Sequence, residues 1–262
     1  MEPLTMRIRH IKQPYGGYIS RKDFPLEAFD DGKRLNEKEN IHGVNVGLIV
    51  DYMTRFMLTD DKDDAFSVSC RGAENAAQFG YPSFLRTAKK ALAQIQGLDD
   101  NSLIGAYTLS RFDVWYRNPM LAIAYEYGAE DRKKPDKDTI ENLRIMINRS
   151  VEFIKQQGKL VQTGFDLREG CNATVFAADG DYLFRNSICD LKVLRSPIKK
   201  DERLQLVCYW LMGLHTGRKE FSKIDHLTIY NPRLNIAYRY DVAKMTPELR
   251  ATIEQEVLGY EA

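Results

Sequence analysis

Three aspartates and a lysine crowd one short stretch of the chain: Asp179, Asp181, Asp190 and Lys192 in ADGDYLFRNSICDLKVL, residues 178–194. Sheet-forming residues surround them (Tyr182, Leu183, Phe184, Ile188, Leu191, Val193), and Arg185-Asn186 is the natural turn, so a β-hairpin is predicted. Aspartate is depleted in strands, so its placement here asks for a chemical reason. A turn centred on Arg185-Asn186 pairs residues whose numbers sum to 371, setting Asp181 opposite Asp190 and Asp179 opposite Lys192 on one face. Opposed carboxylates repel unless a cation lies between them. Hard cations such as Mg²⁺ are held by one or two carboxylates with waters and phosphate oxygens. The pattern therefore predicts a divalent-metal site beside an ammonium. Taken singly, each acid reads as a turn or edge residue and Lys192 as an edge-strand gatekeeper. The combination on one face is what points to chemistry.

The elements that must carry these residues follow from periodicity. A helix is predicted after the charged break EDRKKPDKD, with Asp138 as cap, Glu141 completing a capping box, and a stripe of Ile140, Leu143, Ile147, Val151 and Ile154 ending at Gly158. Strand patterns follow in KLVQTGFDL, NATVFAADGDYLF and SICDLKVL, then a buried helix in DERLQLVCYWLMGLH. A second hairpin around Asn231-Pro232 and a closing helix in TPELRATIEQEVLGY complete this half. Upstream, helices are predicted in VNVGLIVDYMTRFML, SFLRTAKKALAQIQG and SLIGAYTLSRFDVWYRN, while the first 40 residues read as irregular, with a short strand at MRIRHI.

The 262 residues, 29% charged and 44% apolar, have the balance of a globular protein, and no run is long and apolar enough to span a membrane. No membrane partner and a cytoplasmic location are expected. The cysteines, Cys70, Cys171, Cys189 and Cys208, contain no C-x-x-C pair and read as free thiols rather than a zinc or iron–sulfur site. With 38 Lys and Arg against 37 Asp and Glu, contact with nucleic acid must come from local basic patches. Arg195, Lys199, Lys200 and Arg203, between the D-x-K strand and its helix, are placed to contact phosphate. His215 and His226 suggest no ligand role.

The ordered combination of Asp181, then Asp190-Leu191-Lys192 as D-x-K, then Gln205 and Tyr209 as Q-x-x-x-Y on the next helix resembles the PD-(D/E)XK nuclease superfamily, in particular its RecB-like and Cas4-like branches. The likeness covers roughly residues 137 to 240, and its order of helix, three strands, helix and strand matches that family's core. It implies a mixed α/β fold: a restriction-endonuclease-like core with a central mixed sheet flanked by helices at residues 137–262, behind a largely helical region at 1–136. It implies Mg²⁺ or Mn²⁺ held by Asp181, Asp190 and the Leu191 carbonyl. Lys192 would orient or help deprotonate the attacking water, with Gln205 and Tyr209 ordering the lysine or the nucleic acid.

Many members also carry a glutamate on the helix before the first strand. Glu152, about six residues before Gly158 and so roughly 9 Å up the helix, fits better than Glu141, roughly 25 Å up. The Asp179-Gly180 pair departs from many members and leaves Asp179 as the ligand if the register differs. The expected activity is metal-dependent phosphodiester hydrolysis of DNA in bacterial or phage nucleic-acid processing or defence. The alternative is a non-catalytic nucleic-acid-binding or protein-interaction module that retains the fold. A second copy or a protein partner would engage the helical N-terminal region.

Overall fold

The computed structural model describes residues 1–124 and 134–261, so the charged break at 130–138 falls partly outside the described residues. Two compact units emerge: Met1–Asp31 with Phe153–Ala262, and Gly32–Glu152. The expected division at 136/137 thus moves to 152/153, within the helix Lys137–Gln156, and the first 31 residues join the sheet unit. The physical reason is apolar burial: Leu4, Ile8, Ile19 and Phe24 belong to the same core cluster as the sheet residues Ile188 and Leu227.

The sheet unit contains a six-stranded mixed sheet. Its strands are β1 (Leu26–Ala28), β2 (Leu160–Asp166), β3 (Asp179–Phe184), β4 (Ser187–Leu191), β5 (His226–Asn231) and β6 (Ile236–Asp241), in the order β1-β6-β5-β4-β3-β2. All neighbours are antiparallel except β4 and β5. That parallel pair requires a crossover, and the helix between its strands, Lys200–His215, supplies it. β3 and β4 pair as Tyr182 with Cys189 and Leu183 with Ile188, the register expected from a turn at Arg185-Asn186.

The segment MRIRHI is helical, not a strand: helix α1 spans Leu4–His10. Leu4 and Ile8, four apart, form its buried face. Arg7 pins it by donating from Nε and Nη2 to the carbonyls of Val257 and Glu256 at 3.0 and 2.8 Å. The crossover helix, α2 (Lys200–His215), is buried from Arg203 and Leu204 through Leu206–Gly213. A helix apolar on all sides needs cover on all sides. It lies between β4 and β5 in sequence and packs against β5 and α1.

In the helical unit, Gly43–Thr59 buries the expected stripe of Ile49, Tyr52, Met53 and Phe56. The expected third helix is divided into Asp100–Ser110 and Asp113–Arg117. Asp113 is buried and accepts hydrogen bonds from the Tyr52 and Ser69 hydroxyls. The cap of Lys137–Gln156 is Asp136 rather than Asp138: the Asp136 carboxylate accepts from the Thr139 N–H at 2.8 Å. Glu141 instead forms an ion pair with Arg144.

Gly180, between two aspartates of β3, is opposite Phe165 of β2. A Cβ at Gly180 would meet the Phe165 ring at 2.2 Å, and that ring is fully buried. Gly180→Ala is therefore expected to destabilise the fold by about 1–3 kcal/mol through overpacking. Urea denaturation checks this, and an unchanged midpoint would mean that the ring does not depend on the missing side chain.

Candidate metal and phosphate site

The end of β4 assembles the charged cluster. Asp190 is only 2% exposed. Its strand neighbours force this, because register places Asp190 beside Ile229 of β5 and the turn of the pleat carries Ile188 and Asp190 to the same face. Lys192, just past the strand, turns back: its Nζ donates to Asp190 Oδ1 at 3.0 Å and lies 2.8 Å from Oδ2. Its own N–H donates to the Tyr230 carbonyl at 2.9 Å, which fixes the backbone from which the side chain folds over.

Asp181 comes from the neighbouring strand. The β3–β4 ladder ends at Tyr182 and Cys189, and just beyond it the Asp181 carboxylate accepts the Leu191 N–H at 2.8 Å. A side chain thus takes over where main-chain pairing stops, tying Asp181 to the D-x-K segment. Asp179 does not reach Lys192 in the manner the pairing sum suggests. It is exposed and paired across the sheet with Asp166 of β2, while the lysine's partner is Asp190. Between the two open alternatives, the geometry favours Asp181.

Gln205 and Tyr209 come together on α2, where Gln205 Nε2 donates to the Tyr209 hydroxyl. The phenol is 4% exposed. Burial first, then the charges of Asp190, Asp179 and Asp181, push its pKa well above the usual tyrosine value, so this helix face borders the acids. Glu202, one turn before Gln205, also acts on the cluster: its charge is felt by both Asp190 and Lys192. The sequence reading did not single it out, although its spacing from Gln205 places both on one helix face. Glu202 also closes the helix start by accepting the Lys199 N–H at 2.7 Å.

The other expected positions divide. Arg195, Lys199 and Lys200 are exposed on the connection into α2 and its first residue. Arg203 is not a phosphate contact in this arrangement: it is 4% exposed, and Nε and Nη2 donate to the carbonyls of Ile19 and Gly16 at 3.0 and 2.9 Å. It sits on the inner face of α2, where a guanidinium must find internal acceptors. Glu152 is exposed on Lys137–Gln156 and belongs to the helical unit.

The donors fit a hard cation in one specific respect. Asp190 Oδ2 is buried and receives no directed hydrogen bond despite its nearness to the ammonium. The ammonium at 2.8 Å is its partner, and the remaining lone pairs of that oxygen could also face a cation. Among the described residues no group of three or more His, Cys, Asp or Glu side chains gathers around a common point. A cation here would therefore rest on Asp190 and Asp181, with main-chain oxygen, water or substrate completing its shell, the sparse protein ligation usual for Mg²⁺.

Burial raises the Asp190 pKa to about 6, Lys192 opposes the rise and Asp181 adds to it. For Lys192, burial disfavours the ammonium, but the charges of Asp190 and Asp181 outweigh it and raise its pKa. The lysine is thus held charged at neutral pH. Because the folded-state pKa of Asp190 lies above its ordinary value of 3.8, the folded protein binds this proton more tightly than the unfolded chain. The resulting stability is fully present below pH 3.8 and is lost as pH rises through about 6. Denaturant titrations across that window should show a descending component in the wild type that Asp190→Asn lacks; parallel profiles would place the titration elsewhere.

No helix among the described residues is long and apolar enough to cross a membrane. No family model matches the chain, and neither the curated proteins nor the solved structures compared with it yield a match.

Proposed function

We propose that the chain is a divalent-metal-dependent nuclease that hydrolyses phosphodiester bonds, with DNA as substrate and Mg²⁺ or Mn²⁺ as cofactor. The observation that carries this reading is the pairing of a buried carboxylate, Asp190, with the Lys192 ammonium at 2.8 Å, beside a second carboxylate anchored by the Leu191 N–H. The cluster lies at the carboxyl end of the parallel pair β4–β5, the edge at which open α/β sheets bind ligands.

Asp190 and Asp181 would hold the metal, and the resemblance to PD-(D/E)XK nucleases adds the Leu191 carbonyl. When bound, the metal supplies Lewis-acid polarisation of the phosphoryl oxygens and a lowered pKa for water. Lys192 is suited to donating rather than accepting a proton, because the surrounding acids keep it charged. Its Nζ can donate to a phosphate oxygen and stabilise charge that develops there. Tyr209, whose pKa is raised well above the usual value, likewise remains a hydroxyl donor, and Gln205 fixes its orientation. Lys199 and Lys200, exposed at the start of α2, are positioned for the flanking phosphates.

Calorimetric titration with Mg²⁺ or Mn²⁺ is expected to reveal binding that Asp190→Ala removes. The same metal at about 100 times its dissociation constant should stabilise the wild type by about 2.7 kcal/mol and leave that variant unmoved. Lys192→Ala is expected to retain metal binding and lose cleavage of a DNA substrate by at least about 100-fold. A chain that binds no divalent metal and cleaves no DNA would be a non-catalytic module on this fold, and variants that cleave at the wild-type rate would remove Asp190 and Lys192 from the catalytic machinery.

Replacing Lys199 and Lys200 with glutamine should weaken DNA binding without touching metal affinity. Each lost contact should reduce the slope of log affinity against log salt by about 0.7–0.9. Arg203→Gln belongs to a different class and should instead lower thermal stability by releasing the segment that it clamps.

A further inference from the structure

Tyr15 projects entirely into solvent, at 108% relative exposure, from a segment that is otherwise tightly fastened. Gln13 Nε2 donates to Asp201 at 2.6 Å, and Arg203 holds the carbonyls of Gly16 and Ile19. The Gly17 N–H closes a turn onto the Pro14 carbonyl at 2.9 Å. Gly16 and Gly17 have φ of +83° and +90°, a conformation that other residues enter only with strain. At Gly17 the backbone approaches α2 so closely that an added Cβ would lie 2.8 Å from the Lys200 Cβ. The fold thus fixes the backbone on both sides of an aromatic ring that it does not bury.

The surroundings of that ring are cationic rather than apolar. Lys12, Arg21, Lys22, Lys199 and Lys200 are all exposed on the same segment or at the helix start against which it packs. Of the acids on these elements, Asp201 is engaged by Gln13 and Glu202 by the Lys199 N–H. This helix start also borders the Asp190–Lys192 cluster, since Glu202 acts on both residues from its first turn.

We propose that Tyr15 is a stacking platform for a base of single-stranded nucleic acid whose phosphates follow Lys199 and Lys200 toward the Asp190–Lys192 cluster. This rests on the nuclease reading above and narrows its substrate to a strand with unpaired bases. An aromatic face interleaved with lysines is what a single strand can use, because its bases are free to stack. A duplex keeps its base faces covered. A protein interface would centre the ring among apolar neighbours, and lysine is depleted at such centres.

Fluorescence anisotropy of a labelled oligothymidine of about 15 nucleotides, in metal-free buffer containing EDTA, tests this without cleavage. Tyr15→Ala is expected to lose about 5- to 100-fold in affinity, Tyr15→Trp to retain it, and a duplex of equal length to show no difference. The melting temperature should not change, because the ring makes no contribution to the core. With Mg²⁺, KM for the single strand should rise in Tyr15→Ala while kcat holds.

Equal affinity in wild type and Tyr15→Ala overturns the platform, as does an equal loss on duplex or a failure of the wild type to bind the oligonucleotide. A change in sedimentation without a change in oligonucleotide affinity overturns it too, because the ring would then be a contact between copies. If the chain cleaves nothing while the affinity difference persists, the platform stands and the nuclease reading falls. Cleavage with a KM indifferent to Tyr15 gives the reverse.

Discussion

The ion pair between Asp190 and Lys192 is the constraint around which the sheet unit is arranged. Taking a carboxylate out of water is costly unless it is paired, and even the pair seldom recovers the whole penalty. Asp190 is 2% exposed, with a lysine 2.8 Å away whose own side chain remains 22% exposed. The neighbouring strands must therefore hold the lysine backbone steady, which the Lys192 N–H bond to Tyr230 does. The parallel β4–β5 pairing requires a crossover, and the crossover helix in turn brings Gln205 and Tyr209 over the acids. Charge, strand direction and helix placement are consequences of one another here.

Two of the other buried charges among the described residues are handled differently. Arg203 is satisfied by main-chain carbonyls of the segment around Gly16 and Ile19, so its burial fastens the N-terminal strap to α2. Asp113, in the helical unit, accepts from the Tyr52 and Ser69 hydroxyls and lies 3.6 Å from Arg117. Burial still raises its pKa, but the hydroxyls and the arginine oppose the rise. Both arrangements close on themselves and read as structural. Asp190 is paired instead with the ammonium of a partly exposed lysine, which is why the proposed chemistry is assigned to it.

In the proposed reading the strap also links fold to recognition. Its glycines allow the backbone to lie almost against Lys200, and that closeness sets Tyr15 out in water beside the exposed lysines of the helix start. Binding by a prearranged aromatic loses less conformational entropy than binding by a loop that must first be ordered. The same clamp that satisfies a buried guanidinium thereby fixes a surface feature.

What the sequence determined by itself was local and periodic. The polar pair Arg185-Asn186 between two sheet-forming runs set the hairpin register, because a turn centred there fixes which residues face each other. The long apolar run of DERLQLVCYWLMGLH likewise announced a buried helix. The helix Ser67–Gln78 was hidden, since its buried face consists of Ser69, Gly72, Ala73 and Ala76, residues too small to produce an apolar stripe. Tertiary structure alone decided that Arg203 faces inward, that Leu4–His10 coils instead of pairing, and that Lys192 answers Asp190 rather than Asp179. Each depends on a partner distant in sequence or on where a flexible side chain finds its nearest opposite charge, and neither pattern nor propensity encodes such a choice.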